Sequence, residues 1–135
     1  MSEKNNIGLD TTLILRLLTG EPVKQFEKAR RFIEEQLADS KRLFVSDLVL
    51  AESYFALHYH YKVPKDEAVR ELDNLLSSGI IHPIPGSVCQ KVIKESANHK
   101  AGLVDQIIHE QYCLFTEQIA SFDKSMCKLP RTIAL

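Results

Sequence analysis

The sequence predicts an α/β fold, a mostly parallel sheet with helices on both faces. Three observations lead there. Short apolar runs of strand length alternate along the chain with longer stretches of helical period, and strands separated by helices call for right-handed crossovers and a parallel sheet. The 135 residues suffice for one domain and no more. With 44% apolar and 26% charged residues, the composition suits a chain that buries a core.

Each element follows in order. Residues 1–6 are polar and read as a disordered tail ahead of a single domain spanning 1–135. Ile7 to Asp10 is a short strand that stops at Thr11 and Thr12, both capable N-caps. Leu13 to Thr19 is a helix that Gly20 ends. Pro22 opens the next helix, because proline fits a first helical turn, and Val23, Phe26, Ala29, Ile33 and Leu37 keep helical spacing. Leu43 to Val45 is a second strand, and Leu48 to Tyr61 is helical. Pro64 starts a helix that runs to Ser78 and stops at Gly79. Ile80 to Ile84 is a third strand, closed by Pro85 and Gly86. Ser87 caps a helix reaching about Asn98, and Leu103 to Phe115 forms another. Gln118 to Phe122 is a fourth strand and Thr132 to Leu135 a fifth.

Charge and cysteines exclude several classes. Net charge is −1, with 10 basic against 11 acidic residues in 1–68 and 7 against 7 in 69–135. A nucleic-acid partner must therefore be held by a local patch rather than a global basic field. The longest apolar runs, such as Leu48 to Ala51, are too short for a membrane span or a signal-peptide core. Cys89, Cys113 and Cys127 are odd in number, scattered and without metal-knuckle spacing, which suits reduced thiols in a cytoplasmic protein.

Four carboxylates stand out. In a parallel sheet, ligands bind beyond the carboxyl ends of the strands. Asp10 ends the first strand and Asp123 follows the fourth. Glu52 shares its helix face with Leu48, Val49, Phe55 and Ala56, which predicts an acid set in an apolar face; Asp105 does the same with Ile108 and Tyr112. A single such acid is usually a cap or an ion-pair partner. Four of them, with no matching set of inward cations, suit a hard divalent ion such as Mg²⁺ or Mn²⁺, which can activate water against a phosphodiester.

At these residues the chain resembles the PIN domain, the metal-dependent nuclease fold used by the VapC toxins. The resemblance runs from Ile7 to Leu135. Ile7 to Leu18 is similar to the family's opening strand and first acid, and Val45 to Glu52 to the segment with the second. Val104 to Ile108 resembles the third acid's helix, and Ser121 to Lys124 the last acid with its preceding hydroxyl. Two positions depart from the pattern: Thr12 stands where asparagine is usual, and Gly102 where many members carry a further acid.

The resemblance implies a three-layer α/β/α sandwich with about five strands. It implies a Mg²⁺- or Mn²⁺-dependent endoribonuclease, the toxin of a type II toxin–antitoxin pair, acting on RNA as a homodimer with a cognate antitoxin. Asp10, Glu52 and Asp123 would then be metal ligands, with Asp105 completing the pocket. Thr11, Thr12, Ser46 and Ser121 would hold carboxylates or a phosphate oxygen, although for Thr11 the helix cap is the favoured use. Arg16, Lys100, Lys124 and Arg131 are candidates for RNA phosphates. His58 and His60 lie two apart on a helix and cannot share one ion, and His109 sits one turn beyond Asp105. Tyr54, Phe55, Tyr59 and Tyr61 read as core or dimer surface, with base stacking as the alternative. A second reading from another class is a PIN-fold RNA- or protein-binding module with weak or no catalysis, marked by Thr12 and Gly102.

Overall fold

In the computed structural model, which describes residues 5–135, Ile7 lies in parallel register with Leu43, and Leu43 with Ile81. These residues centre a three-stranded sheet of order β1-β2-β3, built from β1 (Asn6–Gly8), β2 (Arg42–Val45) and β3 (Ile81–Pro83). Residues 1–4 of the expected tail lie outside the described residues, and Asn6 already belongs to β1. β1 and β3 are shorter than their predicted runs while β2 gains Arg42, and the hydrogen bonding reaches further. The Leu9 N–H donates to the Phe44 carbonyl (2.9 Å) and the Ile84 N–H to that of Val45 (3.0 Å).

The chain divides into two compact units, Met1–Pro85 and Gly86–Leu135. The first contains α1 (Thr11–Thr19), α2 (Val23–Ala38), α3 (Asp47–Phe55) and α4 (Lys65–Ser77) besides its sheet. Gly20 ends α1 at φ 70°, a left-handed conformation open to glycine at no steric cost. Directly after α3, Ala56–His60 forms a π-helical turn, in which the Tyr61 N–H reaches back to the Ala56 carbonyl (3.0 Å). Leu43, Val45, Ile14, Leu50 and Leu72 are buried to 1% exposure or less and form the centre of this unit's core. In α2 only Ala29 and Ile33 of the predicted stripe are buried. Val23 and Leu37 lie at the helix ends and face solvent.

The second unit holds α5 (Cys89–Glu95), α6 (Leu103–Cys113), β4 (Ile119–Ser121) and β5 (Thr132–Ala134), with short 3₁₀ turns at Ser96–Asn98 and Met126–Lys128. Strands β4 and β5 pair in parallel, with Ile119 opposite Thr132. Cys89, Val92, Ile93, Leu103 and Ile107 are buried in this unit, and Ala101, Met126 and Leu129 form a buried cluster. Among the described residues, the chain is thus α/β with five strands, every pairing parallel, joined as a three-stranded and a two-stranded sheet. No helix among them is long and apolar enough to cross a membrane.

Candidate active site

In the first unit, two acids are positioned by the helices that follow strands β1 and β2. Asp10 is the N-cap of α1; its Oδ1 accepts the Leu13 N–H (3.1 Å). This corrects the expectation that Thr11 or Thr12 caps the helix. Aspartate is among the best N-cap residues, and once it takes the cap, Thr11 becomes the first helical residue. Its hydroxyl is then available elsewhere, and Thr11 Oγ1 donates to Glu52 Oε1 on α3 (3.2 Å). Ser46 is the N-cap of α3, accepting the Val49 N–H (3.2 Å). So one helix start carries Asp10 as its cap, and the other, capped by Ser46, carries Glu52 nearly two turns in. Each carboxylate has one oxygen with no hydrogen bond among the described residues. Thr12 is exposed and makes none there.

Glu52 is not in the core. It is exposed, and so are its neighbours Leu48 and Phe55. The buried face of α3 is Asp47, Leu50, Ala51, Ser53 and Tyr54. Asp105 repeats the pattern on α6. It is only half-buried and shares the outer face with Ile108 and Tyr112, while Leu103, Gln106, Ile107 and His109 turn inward. In both helices the apolar residues that flank the acid are the outward ones. Apolar residues lie all round α3, so helical spacing alone did not select the face that packs.

In the second unit, Asp123 sits in a turn after β4. Its N–H donates to Ser121 Oγ (2.9 Å), and its Oδ1 accepts the Ser125 N–H (2.7 Å). Ser121 therefore shapes the turn that carries the acid and does not bond the carboxylate itself. Gly102 is the N-cap of α6 without a side-chain cap, and a Cβ built there would meet only Asp105 Oδ2, at 4.0 Å. A larger residue would fit at that position, so packing does not account for the glycine.

The four candidate cations separate into two kinds. Arg16 donates to Gln25 Oε1 (2.5 Å) and to the Tyr61 hydroxyl (3.4 Å), which ties the end of α1 to its surroundings. Arg131, at φ 62°, donates to the Glu117 carbonyl (2.8 Å) and to that of Thr116, clasping the loop before β4. Lys100 and Lys124 are exposed, with no hydrogen bond among the described residues. His109 is buried, and its Nε2 donates to the Pro130 carbonyl (2.6 Å), so it is a packed histidine. It also lines a small pocket of about 70 Å³ with Glu95, His99, Gln106 and Glu110. Tyr54 is core, and burial pushes its phenol up from the ordinary value near 10.0. Phe55 and Tyr59, from the same aromatic group, are exposed.

No three His, Cys, Asp or Glu side chains are gathered as a metal cage among the described residues. The donor chemistry of the Asp10 and Glu52 pair nonetheless fits a hard cation, since both offer exposed carboxylate oxygens and neither is spent in an ion pair.

Two comparisons bear on this arrangement. The family model described as PIN domain matches residues 7–131. A VapC ribonuclease of Aquifex aeolicus (strain VF5) is 30% identical over 74 residues, which is 55% of this chain and 54% of that protein. The chain thus aligns with about half the length of this curated relative.

Proposed function

The chain belongs to the PIN domain family, and from that premise we propose that it is a divalent-metal-dependent endoribonuclease, the toxin of a toxin–antitoxin pair. The observation that carries the reading is that Glu52 is tied by the Thr11 hydroxyl to the start of the helix that Asp10 caps, with both acids exposed. Evenly solvated surface carboxylates need no such tie, whereas ligands that must present oxygens at fixed angles do. The likeness to a VapC ribonuclease supports the same reaction class.

In this reading Asp10 and Glu52 hold the ion and Asp123 is a further ligand. When bound, Mg²⁺ or Mn²⁺ supplies an activated water and offsets charge on the phosphodiester. The protein's part is placement. The α1 cap keeps one Asp10 oxygen on the Leu13 N–H and leaves the other outward. Thr11 sets the orientation of Glu52. Asp105 orients the attacking water. Ser46 holds the start of the Glu52 helix and Ser121 the turn of Asp123. Lys100 and Lys124, whose amines are unspent among the described residues, receive substrate phosphates. Thr12 presents a hydroxyl beside the acids. The partners of this reading are RNA, an antitoxin protein and a second copy of the chain, in the cytoplasm.

The test is calorimetric Mn²⁺ titration of the wild type and of an Asp10→Asn, Glu52→Gln double variant, paired with cleavage of a total RNA pool. The expected result is binding and metal-dependent cleavage in the wild type, both reduced by more than about 100-fold in the variant, beyond the usual effect of losing a supporting residue. No wild-type binding at millimolar Mn²⁺ would sink the catalytic reading and leave a PIN-fold binding module. A small neighbouring reading frame for a DNA-binding protein would support the toxin assignment.

A further inference from the structure

We infer that Phe55 and Tyr59 form a stacking platform for the bases of single-stranded RNA beside Glu52, an inference that rests on the nuclease reading above. Leu48, Glu52, Phe55 and Tyr59 are spaced four, three and four residues apart and share one face of α3 and the π turn that continues it. The three apolar members are exposed, Leu48 by 71%, Phe55 by 44% and Tyr59 by 60%, while Tyr54 and Leu57 on the opposite face are buried. The Phe55 and Tyr59 rings lie 5.9 Å apart at 34°, and His58 meets Tyr59 edge-on at 4.6 Å, so the rings are braced against one another and not loose. Tyr59 stands in a π turn, a rare insertion that recurs at functional sites.

Charge along this row decides between RNA and a protein partner. Glu52 stands among the apolar residues rather than at their edge. An apolar protein surface laid over the row would bury that carboxylate with the Thr11 hydroxyl as its one partner, at a desolvation cost. Past Tyr59 come exposed Lys62 and Lys65, ahead of exposed Asp66 and Glu67 in the first turn of α4. The order is therefore an acid for the metal, then rings, then two lysines. That order suits a strand whose reacting phosphate sits at Glu52, whose next bases stack on the rings, and whose following phosphate meets Lys62 or Lys65. Glu52 and Tyr59 are separated by roughly 10 Å of helix axis, which keeps the stacked bases close to the cleaved bond.

The probe is a fluorescein-labelled single-stranded oligoribonucleotide, measured by anisotropy on the full chain in EDTA, where metal-dependent cleavage cannot occur. Phe55→Ala and Tyr59→Ala should each weaken binding about tenfold, and Tyr59→Phe should recover most of the loss, because the ring and not the hydroxyl carries the stack. The chain contains no tryptophan, so the indole installed by Tyr59→Trp is a lone reporter that single-stranded RNA should quench and duplex RNA should not. Unchanged affinity in the alanine variants, or no quenching at saturating RNA, overturns the platform. So does a change in self-association by sedimentation with RNA affinity intact, which would mean that a second copy covers the row. Failure of the nuclease reading looks different: RNA still binds through the rings, but no Mn²⁺ binding or cleavage appears in the wild type.

Discussion

In the unit Met1–Pro85, an acid is oriented by a hydrogen bond between two helices, Thr11 to Glu52, whose ends lie 41 residues apart in the chain. In Gly86–Leu135, the bonds that shape the Asp123 turn through Ser121 and Ser125 span two residues each. The first arrangement exists only when α1 packs on α3. The second is written into four or five consecutive residues. The cores differ in the same sense. Leu43, Leu50 and Leu72 are at 1% exposure or less in the first unit, whereas of the buried apolar residues of the second only Cys89 is sealed so fully, and its Ala101, Met126 and Leu129 cluster stays at 5–7%. Long-range order thus positions Glu52, and local turn chemistry positions Asp123.

The largest test of this contrast is core truncation. Leu72→Ala removes a side chain at 0% exposure and should cost about 3–5 kcal/mol in denaturant unfolding. Met126→Ala, at 7% exposure in the small cluster, should fall nearer 2 kcal/mol because a loose site collapses more easily. Equal losses would erase the distinction between the cores.

Next in size is the pair Thr11→Val and Ser121→Ala. The first keeps shape and cuts the tie to Glu52, so Mn²⁺ affinity should drop by roughly 10–100-fold with little change in melting temperature. The second leaves the Ser125 N–H on Asp123 Oδ1, so its loss should stay below about tenfold. The reverse ranking, measured by calorimetry, would show that the local turn matters more than the interhelical bond.

A smaller effect separates the cap of α1 from the charge of its residue. Asp10→Ala should lose about 1 kcal/mol of stability with the Leu13 bond. Asp10→Asn keeps an acceptor oxygen and should lose little, although both remove the carboxylate charge. Equal melting temperatures for the two variants would show that the cap contributes nothing.

The smallest effect concerns pH. Burial raises the Tyr54 phenol above its ordinary value of 10.0, and the neighbouring Tyr59 adds to the shift. A raised folded-state value means that the fold favours the neutral phenol. The contribution is therefore complete below about pH 10 and disappears as pH climbs through the folded-state value. Alkaline difference absorbance should show one tyrosine ionising after the others, and Tyr54→Phe should remove that late phase. A late phase that survives the substitution would assign it elsewhere.

Much of this was legible in the primary structure. Gly20, Pro22, Pro64 and the Pro85-Gly86 pair punctuate the chain by backbone sterics, so element order and approximate ends followed without tertiary information. The strand ends were overextended because apolar residues such as Ile80 continue beyond the ladder. The acids are visible as carboxylates set among apolar residues, but helical spacing does not tell which face packs. Leu48 and Phe55 beside Glu52 are on the outside, and so are Ile108 and Tyr112 beside Asp105. Arg16 and Arg131 show a second limit, since a sequence shows that a cation is present but not whether backbone and side-chain oxygens have already engaged it.

Local patterns by themselves determined the alternation of strands and helices, the α/β class, and the residue types able to bind a hard cation, because propensity, proline and glycine sterics and donor chemistry act over a few bonds. Only the tertiary structure decided which face of α3 and α6 is buried and that the Thr11 hydroxyl reaches Glu52. Those outcomes depend on which helix packs against which. In a helix apolar on every side, burial is chosen by the neighbour it meets and not by its own spacing.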